Sequence, residues 1–308
     1  MWIISDLTTA LRPTAIALGN FDGVHRGHQQ VIQALAEAAE SYLTVVAFDP
    51  HPQEFFTGQA RTLLTPLAEK SQQLERLGVS QLVLLSFDQT LAALSPAEFV
   101  DQILVQQLAA KAISVGFNFR FGHQRAGNVE DLRAIAANYG IQVNVALPQL
   151  FEGERISSSA IRAALEQGDL QRANCLLGRA YTLVGEVGAG DRLGRTLGFP
   201  TANLRLPEQK FLPRTGVYAV RVTSDGLEQP QLGVMNIGYR PTVDGKKLVV
   251  EAHLLDWAGD LYGRTLTVAL EQFLRPEQKF ADLTALKAQI QQDCDRARML
   301  PAAVGGGD

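Results

Sequence analysis

Gly19-Asn20-Phe21-Asp22-Gly23-Val24-His25-Arg26-Gly27-His28 is the stretch that decides how the first half of this 308-residue chain folds. A short apolar run at 15–18 leads into it, and an Ala- and Glu-rich helical pattern over 29–40 follows it. Strand, glycine turn and helix in that order open a parallel α/β unit, which binds its ligands at the carboxyl edge of the sheet. Working outward, 43–48, 82–87, 112–115 and 141–146 read as apolar strands, and 67–77 and 129–138 as helices stopping near Gly78 and Gly140. Ser95-Pro96-Ala97-Glu98 is a capping box with proline at the first helical position, opening a helix to about 108. Near-continuous apolar strands between helices predict a parallel sheet covered on both faces. Helices over 159–167 and 169–176 close this half.

The pattern changes after Gly178. Strand-like segments at 181–187, 216–222, 231–237, 247–256 and 265–273 follow one another without long helices, separated by turn signals such as Ser224-Asp225-Gly226 and Asp244-Gly245. They predict a small antiparallel barrel, and a last amphipathic helix follows over 283–296. The expected domains are 1–178, α/β, and 179–308, all-β with a terminal helix.

Composition agrees with two cores: 46% of residues are hydrophobic. A net charge of −4 gives no general affinity for nucleic acid. Cys175 and Cys294 fit neither a disulfide framework nor zinc spacing, so a reduced, cytoplasmic setting is the simplest reading. Residues 1–11 carry no signal-peptide pattern, and no stretch approaches a membrane span. The Gly305-Gly306-Gly307-Asp308 tail reads as disordered. Oligomerisation is compatible with the sequence and leaves no signature in it.

In the first segment, Gly19 ends a strand, and Gly23 and Gly27 let backbone approach a ligand. His25 and His28, three apart, share a face near a helix start, where amides and dipole favour anions. Two imidazoles over a phosphate could donate to oxygens that gain charge as phosphorus is attacked. A glycine turn and a surface helix with incidental histidines would read the same in isolation. Ile156-Ser157-Ser158-Ser159-Ala160-Ile161-Arg162 places hydroxyls and an arginine at another helix start. It is an N-cap by itself, or, paired with the first segment, a holder of the departing pyrophosphate.

In the second half, Leu197-Gly198-Phe199-Pro200-Thr201-Ala202-Asn203-Leu204 lacks the ending of a P-loop. Thr201 and Asn203 point the same way from an extended segment and are hard oxygen donors for Mg²⁺ carrying ATP. The stretch 185–198 reads as a loop whose Gly188, Gly190 and Gly194 could wrap phosphates. A barrel turn with polar edge residues is the bland alternative. Glu251 stands in an otherwise apolar strand, sharing a face with His253 opposite Val250, Ala252 and Leu254. It is a solvated carboxylate or the base that a phosphoryl transfer to an alcohol needs.

These segments resemble the H-x-G-H and I-S-S-S-x-I-R signatures of the nucleotidylyltransferase superfamily. More narrowly, Gly19-Asn20-Phe21-Asp22-Gly23, Phe48-Asp49-Pro50-His51-Pro52, Gly116-Phe117-Asn118-Phe119-Arg120-Phe121-Gly122, the 197–204 segment, Met235-Asn236-Ile237-Gly238-Tyr239-Arg240-Pro241-Thr242, Glu251-Ala252-His253 and Leu274-Arg275-Pro276-Glu277 resemble the prokaryotic bifunctional riboflavin kinase/FAD synthetase family. Asn118 stands where many relatives carry Asp. The resemblance implies a Rossmann-like adenylyltransferase domain followed by a riboflavin kinase barrel. Riboflavin and ATP would give FMN, and FMN and a second ATP would give FAD and pyrophosphate, both steps with Mg²⁺. It implies that His25 and His28 act on the transferred phosphate, and that Gly19, Phe21, Gly27, Asn118, Ser159 and Arg162 hold ATP. Asp49, Pro50 and His51, in a loop over 48–56, would flank the flavin, with Phe55 and Phe56 either stacking on its ring or lying in the core. In the barrel it implies Thr201 and Asn203 as magnesium-ATP ligands, with Gly188, Gly190 and Gly198 around the phosphates. Glu251 would be the base on the 5′-hydroxyl, and Arg275 part of a flavin-side flap. Two rivals are an adenylyltransferase for another metabolite with an accessory barrel, and a flavin-binding regulator.

Overall fold

The computed structural model describes residues 1–36, 40–188, 198–242 and 245–301, without the side chains of 240–242 and 245–247. Gly190, Gly194, Asp244, the end of the helix expected over 29–40 and the terminal tail lie outside the described residues. The chain divides into two units, Met1–Ser158 and Ser159–Asp308.

The first unit is built on a six-stranded sheet in the order β1-β4-β3-β2-β5-β6: β1 Trp2–Ile4, β2 Thr14–Leu18, β3 Tyr42–Asp49, β4 Gln81–Ser86, β5 Ala110–Gly116 and β6 Gln142–Ala146. Every pairing is parallel, as the sequence predicts. Side chains alternate between two covered faces. Ile16, Leu18, Val46, Val83 and Leu85 enter one core cluster, whereas Ala15, Ala17, Val45, Ala47 and Leu82 enter the other. That is why the strands read as unbroken apolar runs. The chain steps from β2 through β3 to β4 on one side, then returns to place β5 on the other side of β2. The order reverses between β2 and β5, where open sheets leave a crevice for ligands.

Two local expectations change. The helix expected from residue 29 starts earlier, as α1 Arg26–Gln33, because His25 caps it. The 48–56 region is not a loop: β3 runs to Asp49, and α2 Pro52–Thr57 begins at once, with His51 and Glu54 forming a capping box. The box at Ser95 is present, and the helix it opens continues in π geometry over Phe99–Gln107.

The second unit is a closed barrel, β10-β13-β12-β11-β14-β9: β9 Tyr181–Gly188, β10 Ala202–Arg205, β11 Gly216–Thr223, β12 Gln231–Thr242, β13 Gly245–Leu254 and β14 Thr265–Arg275, all antiparallel. The loop expected from residue 185 begins later, since Gly185 and Gly188 sit inside β9. They mark a close approach: a Cβ on Gly188 would lie 2.3 Å from the Arg205 guanidinium. Tyr181, Leu183, Tyr218, Val220, Met235, Ala252, Val268 and Leu270 are buried. On the other face, Val217, Ala219 and Val234 cluster with Cys294 and Ala297 of the last helix, Leu283–Arg298.

Helices Ser158–Gln167 and Leu170–Leu177, read from the sequence as closing the first half, fall almost wholly in the second unit. The Asn174 amide donates to Leu270 O at 2.9 Å and accepts from Tyr181 N at 2.8 Å, and Arg214 N donates to Leu165 O at 2.9 Å. A fragment starting at Ser159 should therefore be more stable than one starting at Arg179. Leu170, Leu176 and Leu177, each buried, contribute roughly 4–9 kcal/mol together. Urea unfolding of the two fragments checks this.

Candidate active sites

The turn after β2 is strained and heavily braced. Phe21 has φ 50° and the β-branched Val24 has φ 41°, conformations that cost about 1–3 kcal/mol each. Surrounding bonds hold them. Gly23 N donates to Thr65 Oγ1 at 2.9 Å, Thr65 N to Asp22 Oδ1 at 3.2 Å, and Ser158 Oγ to Asp22 O at 2.8 Å. Lys70, from the helix Leu67–Arg76, donates its ammonium to Asn20 O at 2.8 Å. Burial holds its pKa below the usual lysine range, against the opposing pull of Asp22 and Asp49. A lysine in a polar helix gives no sequence signal for this role.

What the turn delivers is a pair of histidines. The His25 and His28 rings stack with centroids 3.6 Å apart and planes 15° apart. His25 Nδ1 accepts from His28 N at 3.3 Å, so neutral His25 carries its proton on Nε2. Gly27 leaves room beside the His25 ring, which a Cβ there would approach at 3.3 Å. Phe21, expected to hold ATP, is instead buried at 1% exposure with its ring 5.2 Å from that of His28. Its ring supports that imidazole.

Beside the turn lies a cavity of about 640 Å³, reached from the ends of β2, β3 and β5. Gly19, Asn20, His51 and Asn118 line it, with an aromatic wall that includes Phe48, Phe56, Phe87 and Phe119. Arg120 and Arg125 also line it, and among the described residues no carboxylate does. Phe56 lines the cavity at 69% exposure, while Phe55 packs edge-on against Phe56 and Phe87. Of the three residues expected to flank a flavin, His51 lines the cavity; Asp49 and Pro50 do not. Phe87 carried no sequence signal; it follows β4 and is drawn in by Phe48, Phe55 and Phe56.

His51 fixes an amide. Its Nδ1 accepts from Gln53 N at 3.1 Å, so its proton sits on Nε2, 2.8 Å from the Asn20 amide. An Nε2–H must meet an oxygen, so the Asn20 amide presents Oδ1 to His51 and turns its NH₂ group the other way. Burial and Arg61 hold the His51 pKa below 6.5.

Ser159 and Arg162 lie in the second unit, where the Arg162 guanidinium stands 4.7 Å over the Phe211 ring. The barrel's own site is a row across the sheet. Asn203 pairs in register with Glu251, Glu251 with Asn236, Asn236 with Val217, and Val217 with Arg275. Directly opposed residues share a face. Asn203 and Glu251, far apart in sequence, are therefore neighbours, and Asn236, not singled out from the sequence, stands beside Glu251. This is the outer face; the last helix packs on it at Val217, Ala219 and Val234, and Glu251 is half-buried on the same face.

Two cavities meet there at Thr201. One, of about 330 Å³, is lined by Thr201, Asn236, Glu251, His253, Arg275 and Asp293, among others. The other, of about 640 Å³, is lined by Pro200, Thr201 and Trp257 through Tyr262. Gly198 is in the turn before them, with φ 89°. Gly188 pairs with Asn203. Arg275 is committed to an ion pair: Nη2 is 2.8 Å from Asp293 Oδ2, with side chains 14% and 1% exposed. Gln289 also donates to Asp293 at 3.1 Å, and the Arg275 guanidinium faces the Phe280 ring at 5.6 Å.

Comparison with known proteins follows the same division. The FAD synthetase family profile matches residues 7–160 and the riboflavin kinase profile residues 177–300. A bifunctional riboflavin kinase/FMN adenylyltransferase from Pseudomonas fluorescens is 45% identical over 94% of each chain. Those of Escherichia coli (strain K12) and Bacillus subtilis (strain 168) are 44% and 37% identical over at least 90% of each. A crystal structure from Streptococcus pneumoniae described as a macrolide-efflux protein is 30% identical, with a TM-score of 0.87, and covers 97% of this chain and 99% of that one. Among the described residues no helix is long and apolar enough to cross a membrane.

Two measurements test the sites. The His51 pKa is lowered from 6.5, so its contribution to stability is complete above pH 6.5 and is lost as pH falls through 6.5 toward the folded value. Between pH 7.5 and 5.5 the thermal midpoint of His51→Gln should fall less than that of the parent. Asp293→Ala leaves the Arg275 charge buried and should cost about 3–5 kcal/mol in denaturant unfolding.

Proposed function

Because the chain belongs to the bifunctional riboflavin kinase/FMN adenylyltransferase family, we propose a residue-level division of its two reactions. The protein phosphorylates riboflavin to FMN and adenylylates FMN to FAD. The observation that carries the division is the meeting of two cavities at Thr201, with Glu251 on one of them.

In the kinase reaction, the cavity holding Glu251 takes the riboflavin 5′-hydroxyl, and the cavity lined by Trp257 takes ATP. Glu251 accepts the hydroxyl proton as the oxygen attacks the γ-phosphorus, the bond to the β,γ-bridging oxygen breaks and ADP leaves. Asn236, beside Glu251, orients the hydroxyl. Thr201 and Asn203 fit Mg²⁺: both are neutral oxygen donors, Thr201 at the junction where a triphosphate would cross and Asn203 paired with Glu251. When bound, the ion would neutralise phosphate charge. Gly188, Gly190 and Gly198 serve the phosphates through backbone amides. Arg275, held by Asp293, shapes the flavin side.

In the adenylyl transfer, the aromatic cavity without a carboxylate takes FMN, a planar anion. Its phosphate oxygen attacks the α-phosphorus of ATP and pyrophosphate leaves. His25 and His28 stabilise the charge that gathers on the α-phosphate oxygens. Gly19, Gly27 and Asn118 serve ATP, while Ser159 and Arg162 serve the leaving pyrophosphate. The functional boundary is placed at 178 and the reactions in the cytoplasm, with both cysteines as free thiols.

His28→Ala should reduce FAD formation about 10²–10³-fold while FMN formation persists. Glu251→Gln should lower riboflavin phosphorylation about 10²–10⁴-fold while FAD still forms from supplied FMN. Chromatography of FMN and FAD from single-substrate assays reads both. Joint loss of the two activities in a folded His28→Ala protein would overturn the division.

A further inference from the structure

The Phe199-Pro200-Thr201 segment has to be held still at the junction of two cavities, yet the sheet cannot hold it. Strand β10 pairs with β13 from Ala202, opposite Ala252, onward. The next step of that register would set Thr201 opposite His253, but the following residue is Pro200, which has no N–H to extend the ladder. In place of the ladder, His253 Nδ1 lies 2.7 Å from Pro200 O. A carbonyl only accepts, so Nδ1 carries the proton, and the bond holds whether or not Nε2 is protonated. The same ring meets Phe199 edge-on, with centroids 5.6 Å apart. Phe199 in turn packs against the cluster of Val217, Val234 and Cys294 under the last helix.

We propose that His253 is a positioning residue for phosphoryl transfer: its Nδ1–H anchors the Pro200 carbonyl where the ladder stops and fixes Thr201 against ATP. Its function is the hydrogen bond to Pro200 rather than contact with substrate. The proposal rests on the assignment of Thr201 to magnesium-ATP.

Steady-state FMN formation by the full-length protein tests it, with magnesium-ATP varied at saturating riboflavin. His253→Asn keeps a donor where Nδ1 stands, while His253→Phe keeps a ring against Phe199 and loses the donor. The Phe variant should raise the KM for magnesium-ATP about ten-fold, the ratio expected for one lost hydrogen bond, and the Asn variant should stay near the parent. Thermal midpoints of both variants within a few degrees of the parent establish that the fold is kept; if the Phe variant is unstable, His253→Ala replaces it. Parental kinetics in the donor-less variant, or equal damage in the Asn variant, overturns the proposal. Thr201→Ala separates the two assignments. If it leaves the KM for magnesium-ATP unchanged, the reading of the site fails; if it raises that KM while the donor-less His253 variant does not, only the role of His253 fails.

Discussion

Each site depends on a backbone carbonyl that a side chain holds where regular strand pairing stops. In the first unit it is that of Asn20, one residue past Gly19, where the chain leaves the sheet for a turn with left-handed Phe21 and Val24. In the second it is that of Pro200, two residues before the first pair of β10 with β13, Ala202 with Ala252. Asn20 is half-buried, where an unpaired carbonyl is costly, whereas Pro200 is exposed and its bond serves as a restraint. In both places a side chain meets the need: Lys70 at 2.8 Å and His253 at 2.7 Å. The irregular backbone is what frees the site residues from the sheet, and the side-chain brace keeps that freedom from becoming mobility.

Around those braces the two units use different geometry. The parallel sheet gathers its site from loops. The ends of β2, β3 and β5 converge where the strand order reverses, so residues near 19, 51 and 118 reach one cavity. The barrel gathers its site from register. Asn203, Glu251, Asn236, Val217 and Arg275 stand one per strand along a row, and a shift of one residue in any pairing would turn a member to the other face. The last helix then converts an outer face into a cavity wall. The Arg275–Asp293 pair ties β14 to that helix at the cavity edge, and the Glu277 carboxylate lies close over Gly238.

The glycines in the sequence carry two meanings that spacing alone does not separate. Gly27 spares the His25 ring, consistent with a residue of the site. Gly185 and Gly188 look like loop glycines in sequence and prove to be strand glycines, because Arg205 crosses over them. The Phe48–Phe56 segment is similar. Its turn-like composition conceals a capping box between His51 and Glu54, since a histidine acting as the cap residue is an uncommon signal.

The sequence by itself determined both architectures, because the periodicity of apolar residues is a local property: unbroken strands between helices in one half, alternating strands between turns in the other. It also singled out His25, His28, Thr201 and Glu251 as candidates, open by residue type alone and given roles by the family resemblance of their segments. Lys70, Phe87, Asn236 and Asp293 were decided only by the tertiary structure. Each is an ordinary residue in its own segment, and its importance comes from a partner distant in the chain: the Asn20 carbonyl, the rings of Phe48 and Phe55, Glu251 across the ladder, and the Arg275 guanidinium. Contacts of that kind are fixed by strand order, register and helix docking, which the folded chain supplies and local sequence does not.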